Sequence, residues 1–526
     1  MRIGIDVGGT NTDAVLMDGR TLLAKTKTAT TADTMSGIVT AIASLLASAG
    51  VDRAAPTAVM IGTTHFTNAV IERRRLAPTA ILRLGLPATQ SVDPFDDWPA
   101  DLRASIGGQW RLAHGGNEYD GRELSALDPA EITGIVRELV AAGVESLAVV
   151  AVFSPIAPAM EQRAAQLIAE EAPWLTVTLS HEIGRLGLLE RENATAINAS
   201  LRPLAVTTVS SFRRSLAELG IRAPLYLTQN DGTLMAAEQA ERHPVLTFAS
   251  GPTNSMRGAA FLSGLSDALV LDVGGTTSDV GALVHGFPRE SALTATFGDV
   301  RTNFRMPDLI SVGLGGGSVV RGDEPTLGPD SVGYAITERA LVFGGGTLTA
   351  TDLAVAGGRA QVGNADLVSG VDASMAQRGL DAMRTMIEDA LDRMKLTRHP
   401  EPVIVVGGGS VLVGAELAGA SRVVRPEHFE VANAVGAAIA QAGGEVDRIE
   451  PADQGRESIL SRARAAAVER AVAAGALPGT VRIVEIEEMP VPYLEERMVR
   501  VRARAVGDLA AAAVGSRAKE EHHAAD

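Results

Sequence analysis

One eight-residue motif occurs twice in this chain of 526 residues. Residues 6–13 read DVGGTNTD and residues 272–279 read DVGGTTSD, identical at six of eight positions in register. Each copy follows a short apolar run, at 2–5 and 268–271. Each precedes an alternating run, at 12–17 and 278–284, that ends on a turn dipeptide, Asp18-Gly19 or His285-Gly286. Adjacent glycines suit a tight turn, and alternation marks a half-buried strand. Both copies are therefore predicted to be a strand, a Gly-Gly-Thr turn and a returning strand. A supersecondary unit repeated about half a chain apart predicts two similar domains.

Hydrophobic periodicity makes the rest of the chain α/β. Met35, Ile38, Val39, Ile42, Leu45 and Leu46 share one helical face behind an N-cap at Asp33. Asp128 as cap, Pro129 at the first helical position and Glu131, completing a box-like Asp-x-x-Glu, start a helix over 130–142, and Gly143 stops it. A strand (146–153), a helix (159–171) and a strand (175–179) follow, an order that favours a parallel sheet covered by helices. A long helix is predicted over 374–396, a buried strand over 403–406 and a small-residue helix over 431–441. The expected domains are 1–190, 191–444 and a smaller C-terminal region, 445–526. That region holds a helix (458–474), strands (481–486 and 498–505) and a polar tail.

Composition excludes several chemistries. With 47 basic and 63 acidic residues the net charge is −16, which argues against a nucleic-acid or anionic-membrane binder. Only Lys25, Lys27, Lys395 and Lys519 are lysines. There is no cysteine, so disulfides, thiolate catalysis, iron–sulfur clusters and Cys-ligated zinc are excluded. No run of 18 apolar residues occurs, and the first residues read as a strand and not as a signal peptide. A soluble, cytoplasmic protein is expected.

The duplicated turns carry the chemistry. Glycine pairs let backbone N–H groups approach phosphate oxygens, which nominates Gly8, Gly9, Gly274 and Gly275. Thr10, Asn11, Thr12, Thr276 and Thr277 add side-chain donors. A carboxylate beside phosphate needs a cation between them, so Asp6 and Asp272, each ending a strand, are candidate Mg²⁺ ligands. Asp13 and Asp279 lie seven residues later and can orient water or metal, or be structural. Gly315-Gly316-Gly317 and Gly407-Gly408-Gly409 each follow a strand and suit loops against a nucleotide. Gly344-Gly345-Gly346 has weaker context. No P-loop and no Rossmann fingerprint is present.

The order DVGGTNTD, DVGGTTSDVG, VIVVGGGS and VANAVGAA resembles the phosphate-1, phosphate-2, adenosine and second connecting segments of the actin/sugar-kinase ATPase superfamily. Within it the chain is most similar to the hydantoinase/oxoprolinase family, A-type (ATP-binding) subunit, in a short form. Supporting stretches include Ile61-Gly62-Thr63-Thr64, Glu190-Arg191-Glu192-Asn193, Gln229-Asn230-Asp231-Gly232 and Ser250-Gly251-Pro252. The resemblance implies two ribonuclease-H-like domains with ATP and Mg²⁺ between them. It also implies ATP-driven opening of a cyclic amide such as a hydantoin, a lactam or 5-oxoproline, beside a second, B-type subunit. A homo-oligomer stays open.

Two departures stand out. Relatives often carry Gly-Pro-Ala-Gly-Gly where this chain has Gly251-Pro252-Thr253-Asn254-Ser255, and many have a large further domain at the C-terminal end. His65 replaces an apolar residue beside the Gly-Thr-Thr turn, as a packed side chain or as a proton shuttle. Glu190, Arg191 and Glu192 can line the cleft or form solvated ion pairs. Competing functions are an acetone-carboxylase-type subunit, a small-molecule kinase and an actin-like reactivating ATPase.

Overall fold

The computed structural model describes residues 1–8, 11–29, 34–291, 294–491 and 498–510. Gly9, Thr10 and Asp33 lie outside the described residues.

Both copies of the motif fold alike. Arg2–Val7 pairs antiparallel with Asn11–Asp18, setting Asp6 opposite Asp13. Ala268–Val273 pairs with Ser278–Val284, setting Asp272 opposite Asp279. The turns repeat one bond: Gly8 N–H donates to Asn11 O at 3.0 Å, and Gly274 N–H to Thr277 O at 2.9 Å.

Each hairpin seeds a sheet. The first belongs to nine strands in the order Arg482–Val491, Met498–Gly507, Gln441–Pro451, Thr233–Ala236, Leu225–Thr228, Ala58–Thr63, Arg2–Val7, Asn11–Asp18 and Thr21–Ala29. The second pairs with Phe287–Pro288, Leu309–Val312 and, in parallel, Glu401–Val406, which pairs with Ala420–Val424. A third sheet has Gln109–His114, Thr79–Leu86, Ser146–Ala151 and Thr176–Leu179, all parallel. Linear cuts at 190 and 444 separate segments of chain, whereas the sheets interleave them. The helix Leu188–Glu218 runs across position 190.

Local signals act as their chemistry dictates. Thr34–Ala49 buries Ile38, Ala41, Ile42, Leu45 and Leu46 against the first sheet. Asp128 caps Pro129–Ala141 by accepting from Ala130 N–H at 2.8 Å. Glu131 does not complete a capping box: it accepts from His114 N–H at 3.0 Å on the neighbouring strand. Arg456–Ala473 packs Ile459, Leu460, Ala463, Ala467 and Ala471 onto the far end of the nine-stranded sheet.

Two helices form the spine between the hairpins, Ser250–Ser263 and Ala432–Ile439. They cross in backbone contact. A Cβ on Gly258 would collide with the Ala432 carbonyl, and one on Gly436 with the Asn254 carbonyl. Gly4 lies equally close to the Ala434 carbonyl. This is why residues 431–441 are small: close approach requires the missing side chains.

Candidate functional site

Cross-strand pairing stacks like charges at the end of each hairpin, an arrangement that costs stability unless counter-charge is supplied. Asp6 and Asp13 are buried, at 5% and 3% exposure. Asn433 donates from one amide nitrogen to both, at 3.0 Å to Asp6 Oδ2 and 2.9 Å to Asp13 Oδ2. Asn254 Nδ2 reaches Asp6 Oδ1 at 3.4 Å and Thr228 Oγ1 at 3.0 Å. Lys27 Nζ pairs with Asp13 Oδ1 at 2.6 Å. Burial and the neighbouring Asp13 still push the Asp6 carboxyl up to about 6.

The second hairpin is less well compensated. Ser255 donates to Asp272. Ser311 Oγ donates to Asp279 Oδ1 at 2.5 Å. Burial pushes Asp272 up to about 7, against the Ser255 hydrogen bond and with Asp279 and Asp6 adding to the rise. Burial also raises Asp279. The structure thus brings Asp6, Asp13, Asp272 and Asp279 into one electrostatic cluster, with Lys27 as the cation acting on it.

These residues fit a divalent cation. Hard carboxylate oxygens short of positive charge are its normal ligands. Asp272 has the better claim, since both oxygens of Asp6 already accept from amides. Among the described residues no three His, Cys, Asp or Glu side chains form a ready-made metal cage. A cation here would complete its shell with water and phosphate oxygens, as Mg²⁺ commonly does.

The glycine runs gather at the second hairpin but divide in role. Gly315 N–H donates to Ser318 Oγ at 2.9 Å. Gly316 and Gly317 N–H donate to Gly274 O and Gly275 O at 3.0 and 2.7 Å. That run therefore spends two of its N–H groups clamping the turn and the third on Ser318. Gly407 has φ of +86°, and a Cβ there would strike the Asp272 carboxylate. Gly409 N–H donates to Val273 O at 2.8 Å, while Gly408 borders open space. Thr276 and Thr277 are exposed at the tip of the turn, Asn11 is half-buried and Thr12 is buried.

His65 starts the helix His65–Ile71. Its Nε2 lies 3.2 Å from Arg75 Nη1 and its ring meets Phe66 edge-on, so its partners are these and not the carboxylates. Burial, with Arg75 adding, lowers its pKa and favours the neutral ring. Arg191 and Glu192 are not solvated, at 0% and 1% exposure. Glu192 forms a two-pronged pair with Arg83, at 2.6 Å on both sides. Arg191 Nη2 donates to Ala151 O at 2.7 Å, and its Nε to Ser180 Oγ at 2.9 Å.

Sequence reasoning missed Asn254, Ser255 and Asn433 as site residues. The signal for the first two was present: polar side chains stand where relatives often have glycines. Asn433 sits in VANAVGAA, a segment whose resemblance to a connecting segment and whose small residues single out no polar side chain.

Family models place the chain. Residues 2–172 match the hydantoinase/oxoprolinase N-terminal region, and residues 191–377 match hydantoinase/oxoprolinase. The chain belongs to the hydantoinase/oxoprolinase family. Within reach of this family it is 26% identical to caprolactamase subunit alpha of Pseudomonas jessenii over 465 residues, covering 83% of this chain and 65% of that protein. It is 26% identical to the acetophenone carboxylase gamma subunit of Aromatoleum aromaticum over 395 residues, covering 66% of this chain and 52% of that one. The chain therefore spans between half and two thirds of these relatives' length. The crystal structure of ATP-dependent caprolactamase from Pseudomonas jessenii superposes with a TM-score of 0.78 at 19% identity, covering 97% of this chain and 88% of that one. The family fold is thus shared across nearly the whole chain. Among the described residues no helix is long and apolar enough to cross a membrane.

Proposed function

We propose that this chain is the ATP-using component of a hydrolase that opens a cyclic amide by phosphoryl activation of its carbonyl. The observation that carries this is the pair of matched hairpins, each ending in two facing carboxylates, with Lys27 paired to Asp13 and acting on Asp6 and Asp272. Such a cluster is suited to a metal–polyphosphate complex and ill suited to a simple structural core. The caprolactamase relative supports the substrate class.

An amide carbon is a poor electrophile. Transfer of the γ-phosphoryl group to the amide oxygen, with ADP leaving, gives an imidate phosphate that water can attack. The protein's share is positioning and charge balance. Asp272 and Asp6 would hold Mg²⁺, which supplies neutralisation of phosphate charge. Asn11, Thr12, Thr276, Thr277 and the Gly8, Gly274 and Gly275 turns would border the phosphates. Gly408 would border the nucleotide, with Gly407, Gly409 and Gly315–Gly317 shaping the loops around it. Asp279 would orient water or metal, and His65 is a neutral ring available for proton transfer.

A second subunit would complete the hydrolysis, in keeping with the subunit names of both relatives. The carboxylase relative favours one competing reading, in which the activated phosphate serves carboxylation. Calorimetry with Mg²⁺ and a non-hydrolysable ATP analogue tests the nucleotide site. ADP release with a panel of lactams and hydantoins, against ketones with bicarbonate, separates the two reactions.

A further inference from the structure

A second set of polar groups lies outside the carboxylate cluster, where the parallel sheet ends. Glu161 is completely buried and accepts four hydrogen bonds. Ala151 N–H and Ser180 Oγ–H reach its Oε1 at 2.7 and 2.5 Å, and His181 N–H reaches Oε2 at 3.1 Å. The fourth comes from the His181 ring, whose Nδ1 lies 2.7 Å from Oε2. Arg191 braces Ser180 from behind. Such a carboxylate selects the Nδ1–H tautomer and fixes the ring plane, leaving a lone pair on Nε2.

That ring lines a cavity of about 570 Å³, a size typical of small-molecule sites. The cavity sits where three bodies meet. His181 follows the Thr176–Leu179 strand, at the C-terminal edge of a parallel sheet where ligands commonly bind. Asn303, Phe304 and Arg305 come from the segment after the Val300–Thr302 strand, where Phe304 packs into the core of the first hairpin's sheet, and Glu445 comes from the nine-stranded sheet. Ile156 and Phe304 give it an apolar side, and Asn303 and Arg305 a polar one. A smaller cavity of about 200 Å³ shares Glu182, Ile183, Arg305 and Glu445 with it and extends to Asn230. The Asn230 carbonyl accepts from Thr253 Oγ1 at 2.9 Å, one residue before Asn254 at the carboxylate cluster.

We infer that this cavity binds the cyclic amide, with His181 Nε2 accepting a hydrogen bond from the ring N–H and Glu161 as the residue that positions it. The inference rests on the function proposed above and adds the substrate site to it. The apolar wall suits ring methylenes. An imidazole acceptor in a cavity also lined by the guanidinium groups of Arg305 and Arg448 suits a carbonyl next to an N–H.

The test is a ligand-and-protein double cycle on the full chain with Mg²⁺ and a non-hydrolysable ATP analogue. Binding of 2-pyrrolidone, ε-caprolactam and hydantoin is measured beside their N-methyl counterparts. His181→Asn is the main variant, because asparagine keeps the donor to Glu161 and deletes Nε2; His181→Ala is its companion. The wild type is expected to bind at least one N–H amide about tenfold more tightly than its N-methyl form. Both variants should remove that preference and leave nucleotide affinity within twofold. A preference that survives both substitutions overturns the assignment of His181 while leaving the ATP reading intact. A wild type that binds nucleotide but none of the amides overturns both the amide site and the cyclic-amide function. No nucleotide binding at all brings down the ATP reading on which the proposal stands.

Discussion

Asn254 and Ser255 are consecutive residues on one helix, yet the first donates to Asp6 on one sheet and the second to Asp272 on the other. One helical step therefore sets the spacing of the two candidate metal ligands. The helix is locked by the backbone contact at Gly258 and Gly436. The acidic end of the site is consequently held by contacts within the protein.

Asn254→Ala and Ser255→Ala should act on metal-dependent binding more than on nucleotide binding itself. The expected result is a severalfold smaller tightening of ADP binding on adding Mg²⁺, with metal-free affinity unchanged. Ser263→Ala, which loses bonds to Ala259 O and from Leu265 N–H at the far end of the same helix, serves as the control. Equal behaviour of all three variants in calorimetry would remove the positioning role.

Asp272→Asn should lower metal-dependent turnover by at least tenfold while costing little stability. A metal-linked carboxylate acts mainly where charge develops, and neutralising a crowded buried acid relieves repulsion. Steady-state ATP consumption and a melting curve on the same preparation decide it: parallel loss in both would mark Asp272 as structural.

Gly407→Ala should damage both fold and site. The residue has a positive φ, and the new Cβ would press on the Asp272 carboxylate. Backbone strain of this kind costs of order 1–3 kcal/mol. Gly408→Ala, which borders open space, should be nearly silent by comparison. Urea unfolding of the two variants side by side provides the check.

Removing one partner of the buried Arg83–Glu192 pair should cost about 3–5 kcal/mol, because the other charge is left uncompensated. Arg83→Met alone and Glu192→Leu alone are expected to be severe. The double variant should recover much of the loss, which chemical denaturation can measure.

The Glu161 cluster predicts a direction of pH dependence. Its hydrogen bonds from His181, Ser180 and Ala151 outweigh burial and hold the carboxyl below its ordinary value of 4.5. A depressed acid contributes stability above its unfolded pKa and loses it as pH falls through the folded one. Wild type should therefore lose more stability below about pH 4.5 than Glu161→Gln does, when urea midpoints are compared across that range.

Much of this molecule was legible in residue order. Both hairpins, the pairing of each Asp with the Asp seven residues on, and the parallel sheet after Asp128 follow from glycine turns, period-two alternation and helix caps. These are local rules, acting over a few residues, so local sequence determines them.

Other features depended on the tertiary structure. Asn433 reaches Asp6 across 427 positions, and Asn254 across 248. Arg191 and Glu192, polar in sequence, are buried because Arg83 and Ser180 meet them there. Gly315–Gly317 lose their phosphate-binding look because the second turn takes up the N–H groups of Gly316 and Gly317 and Ser318 takes that of Gly315. The Glu161–His181 pair joins a helix to a strand end 20 residues later. None of these leaves a periodic trace. A buried polar group is satisfied by whichever donor the packing brings within about 3 Å, and that is settled when the sheets and helices close on one another.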